Sequence, residues 1–366
     1  MKIAIDISQI AYEGTGVANY MRNLVIALVK NDKKNDYLFF GYSLRKKHLI
    51  DKFLTDIKSI NSRLEIRSFP LPQSAADFIW NRKHIFSLER LLGSIDIYHS
   101  SDWIQIPARA KKITTVHDLV IYKYPEYSAK RIIETQKRRM NRVSAECQII
   151  LADSESTRND LVEVLHLPQN SIKVVYPGVH EIFKKFSRNS VSKILSKYRI
   201  RRPYFLFIGA NDPRKNLKRV VAAFKKLKYS VQLVIIGLSE KIASRSNIKV
   251  INNIVGSDLP ALYSGASIFI YPSLYEGFGL PVIEAMKCGC PVITSNRGSL
   301  KEVSGNSAYI VDPESEEAII NALVKVWTDN ILRKKLIKKG YQNANRFNWS
   351  TSAKKIIQIY EELYEK

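Results

Sequence analysis

The sequence predicts an α/β protein of two domains, each a doubly wound parallel β-sheet covered by helices on both faces. Short apolar runs alternate with segments of helical periodicity along the whole chain, which is the pattern of strand–helix–strand units. The 366 residues exceed what one ordinary core holds, and a hydrophobic fraction of 45% is sufficient for two cores.

The first half of the chain supplies the first series of elements. Residues 2–7 form an apolar run typical of a strand, and a turn at Gly14-Thr15-Gly16 leads into a helix over 17–30, whose apolar residues recur at spacings of three and four. Further strands are predicted at 37–41, 96–99, 113–116 and 147–152. Such alternation favours a parallel sheet.

The second half repeats this organisation. Strands are predicted at 204–208, 231–236, 267–271, 291–294 and 308–311, and a last helix at 349–366. A Pro-Gly turn and a polar, basic tract over 174–194 indicate a linker. We therefore expect an N-terminal domain over 1–180, a C-terminal domain over 181–345, and a final segment, 346–366, that packs back on the first domain.

The net charge of +24 implies an anionic partner, whether nucleic acid, anionic lipid or a phosphate-bearing substrate, although a composition bias would also produce it. The stretch 128–143 interleaves six Lys and Arg residues with apolar positions, as in a helix that lies on an anionic bilayer or in a solvated helix flank.

No apolar run approaches the roughly 18 residues of a membrane span. We expect a cytoplasmic protein, because the N-terminus resembles a strand rather than a signal peptide. The basic stretch leaves open a peripheral position on the inner face of the cell membrane.

The three cysteines, Cys147, Cys288 and Cys290, form no disulfide framework. Cys288-Gly-Cys290 has no second Cys or His pair near it in sequence, so small apolar core residues are expected rather than a metal site.

Ligands of open parallel sheets bind at the carboxyl ends of strands, where four loops stand out. In the first, Gly14 and Gly16 would let backbone amides approach a phosphate, although Gly-x-Gly also forms ordinary turns. The third glycine of a dinucleotide fingerprint is absent, which disfavours NAD.

In the second loop, His117 ends an apolar run and can donate to a substrate hydroxyl, or be a buried structural histidine. Asp118 either orients that ring or caps the next turn.

The third loop carries Arg214 and Lys215 just before a helix predicted to begin near Asn216. Two cations at a helix N-terminus would clamp a diphosphate, and a solvated basic helix start is the alternative.

The fourth loop lies in YEGFGLPVIEAMKCGCPVI, where Glu276 precedes a helix and Glu284 is expected in its first turn. Gly277 and Gly279 leave backbone amides open to phosphate oxygens, and carboxylates accept the paired hydroxyls of a sugar or a ribose. A glutamate in a first turn can also simply compensate the helix dipole.

These motifs resemble those of retaining GT-B glycosyltransferases of family four. PSLYEGFGLPVIEAMKCGCPVITSN is similar to the family's signature of two glutamates, GANDPRKNLKRVVAAF to its phosphate loop, and FNWSTSAKKIIQIYEELY to its C-terminal helix. The likeness covers most of the chain and is greatest to bacterial mannosyltransferases of polysaccharide and lipopolysaccharide assembly. It implies two Rossmann-like domains with a cleft between them.

The resemblance also implies residue roles. Glu284 would bind the nucleotide ribose, Glu276 the donor sugar, and Lys215 with Arg214 the diphosphate; His117 would lie at the donor sugar. The backbone of Phe278, Gly279 and Leu280 would line the sugar and diphosphate. Gly14–Gly16 would face the phosphates, Ile254 and Val255 would lie next to the base, Gly277 would bind the nucleotide sugar, and Ser154–Ser156 would line the cleft.

The chain departs from the family pattern at two positions. Ala210 stands where many members carry arginine, so that Arg214 would substitute, and Asn253 stands where glycine is common. There is no Asp-x-Asp motif, which agrees with the metal-independent chemistry of GT-B enzymes.

We therefore expect a retaining, metal-independent hexosyltransferase without a cofactor. Its donor would be a GDP- or UDP-linked sugar, with GDP-mannose as the first choice, and its acceptor a lipid-linked or polysaccharide intermediate. Three alternatives stay open: a nucleotide-sugar epimerase of the same fold, a glycosyltransferase acting on DNA, and a non-catalytic protein that binds nucleotide sugars. Nucleic acid is the less favoured partner, and the oligomeric state is open.

Overall fold

A computed structural model describes residues 1–209, 212–237 and 247–365, so Ala210 of the predicted phosphate loop lies outside the described residues. The chain separates into two compact units. The first comprises Met1–Gly178 together with the chain from Trp349 onward, and the second comprises Val179–Asn348.

The first unit contains a parallel sheet of seven strands in the order β3-β2-β1-β4-β5-β6-β7, all within the described residues. The strands are β1 (Lys2–Asp6), β2 (Asp36–Tyr42), β3 (Glu65–Phe69), β4 (Ile97–Ser100), β5 (Lys111–Val116), β6 (Ile149–Ala152) and β7 (Ile172–Val174). The helices between them are α1 (Gly16–Asn31), α2 (Lys47–Ile60), α3 (Gln73–Ala76), α4 (Leu88–Leu92), α5 (Val120–Lys123), α6 (Lys130–Glu146) and α7 (Glu155–Leu165), with a π-helical turn at Asp77–Lys83.

Successive side chains of a strand point to opposite faces, so a strand covered on both faces must be apolar throughout. In β1, Ile3 and Ile5 pack in one buried cluster, and Ala4 packs in another that contains Trp80 and Tyr98. Both faces of the sheet are therefore covered, as the near-continuous apolar runs predict.

The second unit contains a parallel sheet in the order β10-β9-β8-β11-β12-β13 within its described residues. The strands are β8 (Tyr204–Ile208), β9 (Gln232–Ile236), β10 (Ile248–Ile251), β11 (Ile268–Tyr271), β12 (Val292–Ser295) and β13 (Tyr309–Val311). The helices are α8 (Arg188–Lys197), α9 (Leu217–Lys225), α10 (Leu259–Gly265), α11 (Leu280–Lys287), α12 (Leu300–Ser304), α13 (Glu316–Thr328) and α14 (Asn330–Ala344). The predicted fold class, two doubly wound parallel α/β sheets, is confirmed.

The strand order reverses between β1 and β4 in the first sheet and between β8 and β11 in the second. Loops on either side of such a reversal diverge and leave a crevice at the carboxyl edge. The loops after β8 and β11 carry Lys215 and Glu276, so the sheet topology alone brings these two residues together.

The last helix, α15 (Trp349–Glu365), belongs to the first unit. Ala353, Ile356 and Tyr360 are buried in the same cluster as helix α1. Gly178 lies directly against Trp349, and a side chain at position 178 would overlap the tryptophan. The returning chain is thus part of the first unit's core.

Helix α6 contains the basic stretch for which membrane contact was predicted, and three of its six cations bond to other groups of the protein. Arg138 pairs with Asp77 at 2.7 Å. Arg139 is buried and donates to the Ser101 carbonyl and the Thr114 hydroxyl, and Arg142 points toward the Asn81 carbonyl. Fewer charges are therefore available to an external surface than the sequence suggested. No helix in the described ranges combines the length and apolar character needed to cross a bilayer.

Candidate active site

A buried ion pair occupies the carboxyl edge of the second sheet at its reversal point. The Lys215 ammonium lies 2.6 Å from a carboxylate oxygen of Glu276 and 2.5 Å from the Tyr271 hydroxyl. Glu276 is only 7% exposed, and Tyr271 at the end of β11 is buried. Burial raises the pKa of Tyr271 well above its ordinary value, and the Glu276 carboxylate adds to this, so the phenol stays protonated. The arrangement places a cation and a carboxylate side by side in a site that is largely shielded from water.

The loop after β12 holds the backbone of Glu276 in place. Ser299 donates to the Glu276 carbonyl through both its amide and its hydroxyl, each at 3.1 Å. Gly298 has a φ of +54°, and a Cβ there would lie 2.5 Å from the Glu276 carbonyl oxygen. Gly298 and Ser299 follow the buried strand β12, so they lie on another loop at the same sheet edge. Sequence reasoning did not identify them.

Gly279 is required by its backbone conformation. Its φ is +93°, and a Cβ would lie 2.6 Å from Leu300 Cδ2. Leu280 follows as the first residue of α11, so Glu284 is the fifth residue of the helix. The expectation that Glu284 occupies the first turn is therefore wrong. Compensation of the helix dipole, the alternative explanation for this glutamate, loses its basis because that effect fades beyond the first turn.

Glu284 lies in an environment that disfavours its charge. Burial raises its pKa from 4.5 to about 7, and a hydrogen bond from the Tyr263 hydroxyl at 3.2 Å opposes this only in part. A carboxylate kept at such a cost, with few partners among the described residues, is more typical of a binding site than of a structural ion pair.

Arg214 and Lys215 lie in a short 3-10 turn, Pro213–Lys215, and α9 begins at Leu217 after Asn216. The Arg214 guanidinium pairs with Asp212 at 2.7 Å. Lys215 is the cation that pairs with Glu276.

The other predicted donor contacts in the second unit are spread over several environments. Phe278 is buried and packs edge-on against Phe347, with ring centroids 5.4 Å apart, so its side chain serves the core. Ile254 and Val255 precede a 3-10 turn; Val255 is 53% exposed, and its amide donates to the Tyr198 hydroxyl. Gly277 lies between Glu276 and Phe278 in the loop before α11. Their contacts with a donor remain predictions.

The first unit carries a histidine–aspartate pair at the carboxyl edge of its sheet. His117 Nδ1 lies 2.6 Å from Asp153 Oδ2, and the imidazole packs edge-on against Tyr20 at 4.6 Å. Burial lowers the pKa of His117, but Asp153, with smaller contributions from Asp102 and Asp118, outweighs it and raises the pKa to about 9. The ring is therefore protonated at neutral pH and holds a fixed orientation.

Asp153 was missed by sequence reasoning, which considered Asp118 either as the orienting group or as the cap of the next turn. Asp118 accepts from the Val120 amide at 3.0 Å, in agreement with the capping role. Because Val116 pairs with Ala152 in the β5–β6 register, the next residues of the two strands, His117 and Asp153, must lie side by side. This register is not visible in the sequence, so no local signal identified Asp153.

The glycine loop of the first unit opens α1. Thr15 caps the helix by accepting from the Ala18 amide at 3.2 Å. Gly14 has a φ of +81°, and a Cβ at Gly14 or Gly16 would meet no atom within 4 Å among the described residues. The space above both glycines is thus open to a ligand. Ser154, the first residue of the predicted Ser154–Ser156 contact, is a buried N-cap of α7.

The described residues contain no group of three or more His, Cys, Asp or Glu side chains that could hold a metal ion. Cys288 and Cys290 are buried, and burial raises the pKa of both thiols.

Comparison with known proteins defines the class of protein. The family model described as Glycosyltransferase Family 4 matches residues 14–181, and the model described as Glycosyl transferases group 1 matches residues 192–343. The chain belongs to glycosyltransferase family 4, and it is a glycosyltransferase with two α/β domains.

A full-length relative agrees with this assignment, and solved structures share the fold. The O-antigen chain mannosyltransferase B of Escherichia coli is 29% identical over 382 residues, covering 99% of this chain and 100% of that protein. Sucrose-phosphate synthase from Thermosynechococcus elongatus superimposes with a TM-score of 0.75 at 19% identity, covering 100% of this chain and 99% of the other. Anabaena HepE in complex with UDP-glucose gives a TM-score of 0.74 at 16% identity, covering 99% and 100%.

Proposed function

We propose that the protein transfers mannose from a nucleotide diphosphate sugar, with GDP-mannose as the first candidate, to a lipid-linked or polysaccharide acceptor of the O-antigen type. The observation that carries the proposal is the Lys215–Glu276 pair, buried beside the Gly279 loop at the reversal point of a parallel sheet. The full-length likeness to an O-antigen mannosyltransferase supports mannose as the sugar.

In the proposed donor complex, the pyrophosphate takes the place of Glu276 as the partner of Lys215. The cation and the amides at Gly279 and Leu280 then stabilise charge on the departing diphosphate, the role that a metal ion fills in other transferases. Glu276, released from the ammonium, accepts hydroxyls of the sugar. The proposed reaction therefore needs no metal ion and no cofactor beyond the donor.

Glu284 is assigned the ribose. A carboxylate can accept both hydroxyls of a vicinal diol, and the burial that raises the pKa of Glu284 is opposed by a hydrogen bond from the Tyr263 hydroxyl. Two ribose hydroxyls would supply further donors, which is a reason for the diol to bind at this position.

His117 is assigned a hydroxyl of the donor sugar. Its protonated ring can donate from Nε2 while Nδ1 remains bonded to Asp153. Transfer proceeds by cleavage of the bond between the anomeric carbon and the leaving phosphate oxygen, through an oxocarbenium-like state. The leaving phosphate takes the proton of the attacking acceptor hydroxyl, so the configuration at the anomeric carbon is retained without a covalent enzyme intermediate.

A panel of GDP-, UDP- and ADP-sugars in a thermal-shift assay tests donor binding, because a ligand that binds the folded state raises its melting temperature. UDP-glucose belongs in the panel since HepE was solved with it. The expected result is a shift with GDP-mannose, followed by mannose transfer to a lipid-linked acceptor.

Other outcomes favour the alternatives. Isomerisation of the free sugar nucleotide would indicate an epimerase, glycosylated DNA would indicate a DNA-directed enzyme, and binding without turnover would indicate a non-catalytic protein. No shift with any sugar nucleotide would contradict the proposal.

A further inference from the structure

Residues 78–91 of the first unit form a surface of unusual composition, called here the 78–91 surface. All of this stretch is described, and its exposed residues are of two kinds only, large apolar side chains and cations. They are Phe78, Ile85, Phe86 and Leu91, each between 41% and 55% exposed, and the cations Arg82, Lys83 and Arg90. The one acidic residue in the stretch, Glu89, is half-buried and accepts from the Arg109 and Ala110 amides.

The apolar side chains are held outward by a fixed framework. The Trp80 indole is buried and donates to the Phe86 carbonyl at 3.2 Å. His84 Nδ1 lies 2.8 Å from the Trp80 carbonyl, and His84 Nε2 lies 2.6 Å from Glu146 at the end of α6. The exposure of Phe86 is therefore built into the fold.

The backbone at Phe86 adds a second observation. Its φ is +61°, and that of His84 is +54°, a region that bulky side chains rarely adopt. Backbone strain of this kind persists where the surroundings impose it, and it concentrates at functional positions. Here the strained residue leaves an aromatic ring 55% exposed.

We propose that the 78–91 surface docks the protein on an anionic lipid bilayer. Apolar side chains would enter the interface between headgroups and acyl chains, and the three cations, of which Arg82 also pairs with Asp77 at 3.4 Å, would contact the phosphates. The 78–91 surface packs against helix α6, for which membrane contact was predicted and whose exposed Lys130, Arg131 and Lys137 stay available to the same bilayer.

Charge complementarity favours a bilayer over the other occupants. A second copy of the chain would bring two surfaces of the same sign together, and the net charge of +24 would add to the repulsion. Nucleic acid would match the cations but gives little burial to four aliphatic and phenyl side chains. An anionic bilayer satisfies both classes of residue at once.

The test is sedimentation of the full chain with phosphatidylcholine vesicles, with or without about one-third phosphatidylglycerol. The wild type is expected to bind the anionic vesicles at least about tenfold more tightly than the neutral ones, because each cation at an anionic surface contributes about fivefold. Phe78→Gln with Phe86→Asn should reduce binding to the anionic vesicles by on the order of tenfold. Asparagine tolerates the left-handed backbone at position 86, so this variant should fold.

A charge-reversed pair, Lys83→Glu with Arg90→Glu, should also reduce binding to the anionic vesicles, down to the level that the wild type shows with neutral vesicles. The matched controls are Ile331→Gln, since Ile331 is 82% exposed in the second unit, and Lys334→Glu with Lys335→Glu, which changes the net charge equally. Both controls should bind as the wild type does.

The proposal is overturned if the wild type sediments with neither vesicle, or if the 78–91 variants bind as the controls do. It is also overturned if the wild type forms a dimer in solution that the Phe78 and Phe86 changes abolish while vesicles capture nothing. Sugar nucleotide binding, measured on the same variants by thermal shift, should be unchanged. Failure of docking is thereby distinguished from failure of the proposed transfer.

Discussion

Asp153→Asn is expected to remove the charge that keeps His117 protonated. The carboxylate lies 2.6 Å from the imidazole, and the pKa of His117 is raised from 6.5 to about 9. The difference of 9 − 6.5 = 2.5, at about 1.4 kcal/mol per pH unit, corresponds to about 3 kcal/mol of folding free energy. Without the carboxylate, burial of the ring favours the neutral form.

The sign of the pH dependence follows from the direction of the shift. A histidine whose pKa is higher in the folded state contributes its full stability below pH 6.5, and this contribution is lost as the pH rises through about 9. Between pH 6.5 and about 9.5 the wild type should therefore lose about 3 kcal/mol that Asp153→Asn never had. The variant should be less stable than the wild type at pH 6.5. This gap should close or reverse at high pH, where the wild type keeps the Asp153 carboxylate, whose pKa is raised by burial, beside a neutral ring.

Denaturant unfolding at several pH values measures this difference directly. Asp36→Asn, an exposed change of the same kind in the same unit, is the matched control and should follow the wild type. Equal pH slopes for the wild type and Asp153→Asn would refute the assignment of His117 as a cation held by Asp153. Transfer at neutral pH should fall on the order of 100-fold in Asp153→Asn, because the ring loses both its charge and its orientation.

Three further variants probe the second unit. Glu284→Gln should weaken donor binding yet stabilise the free protein at pH 8 by up to about 3 kcal/mol. The pKa of the wild-type carboxyl is raised from 4.5 to about 7, so the wild type loses stability as the pH rises through that interval. In a melting series from pH 5 to 8, the difference in stability between the variant and the wild type should therefore widen. Gly298→Ala should abolish transfer by displacing the Glu276 backbone. The control, Gly305→Ala, has a similar φ of +51° but its nearest neighbour lies at 3.9 Å, so it should lose stability without losing activity. Equal activity in the two variants would count against the role of Gly298 in positioning the Glu276 backbone. Lys215→Met should remove the thermal shift given by the donor and lower the free energy of unfolding by about 3 kcal/mol, because it leaves a buried carboxylate unpaired; a retained shift would exclude Lys215 as the pyrophosphate ligand.

The strands that the sequence failed to predict are all at sheet edges. β3 and β7 border the first sheet, and β10 borders the second. An edge strand is paired on one side only and carries polar residues, as EIRSF in β3 does, so it lacks the apolar run that identifies a buried strand. The interior strands, buried on both faces, were predicted to within about two residues, the usual uncertainty of element ends.

The candidate site shows the same division between local and tertiary information. Lys215 and Glu276 could be assigned to one site because each follows a buried strand, and carboxyl ends of parallel strands share an edge. Asp153 and Gly298 could not, because their importance depends on strand register and on a backbone contact between loops. The position of Glu284 was misjudged by one residue because Pro281 was taken as the first residue of the helix, which begins at Leu280, so that Glu284 falls just beyond the first turn.

Turnover by Glu276→Gln tests the central claim most directly. Glutamine keeps the size of the side chain but cannot pair with Lys215 as a carboxylate or accept sugar hydroxyls with equal strength. Mannose transfer from GDP-mannose should fall on the order of 1,000-fold while the variant still binds GDP, since the proposed contacts to the nucleotide are made by other residues. Transfer at the wild-type rate would contradict the assignment of this carboxylate to the donor sugar, and with it the active site described for the second unit.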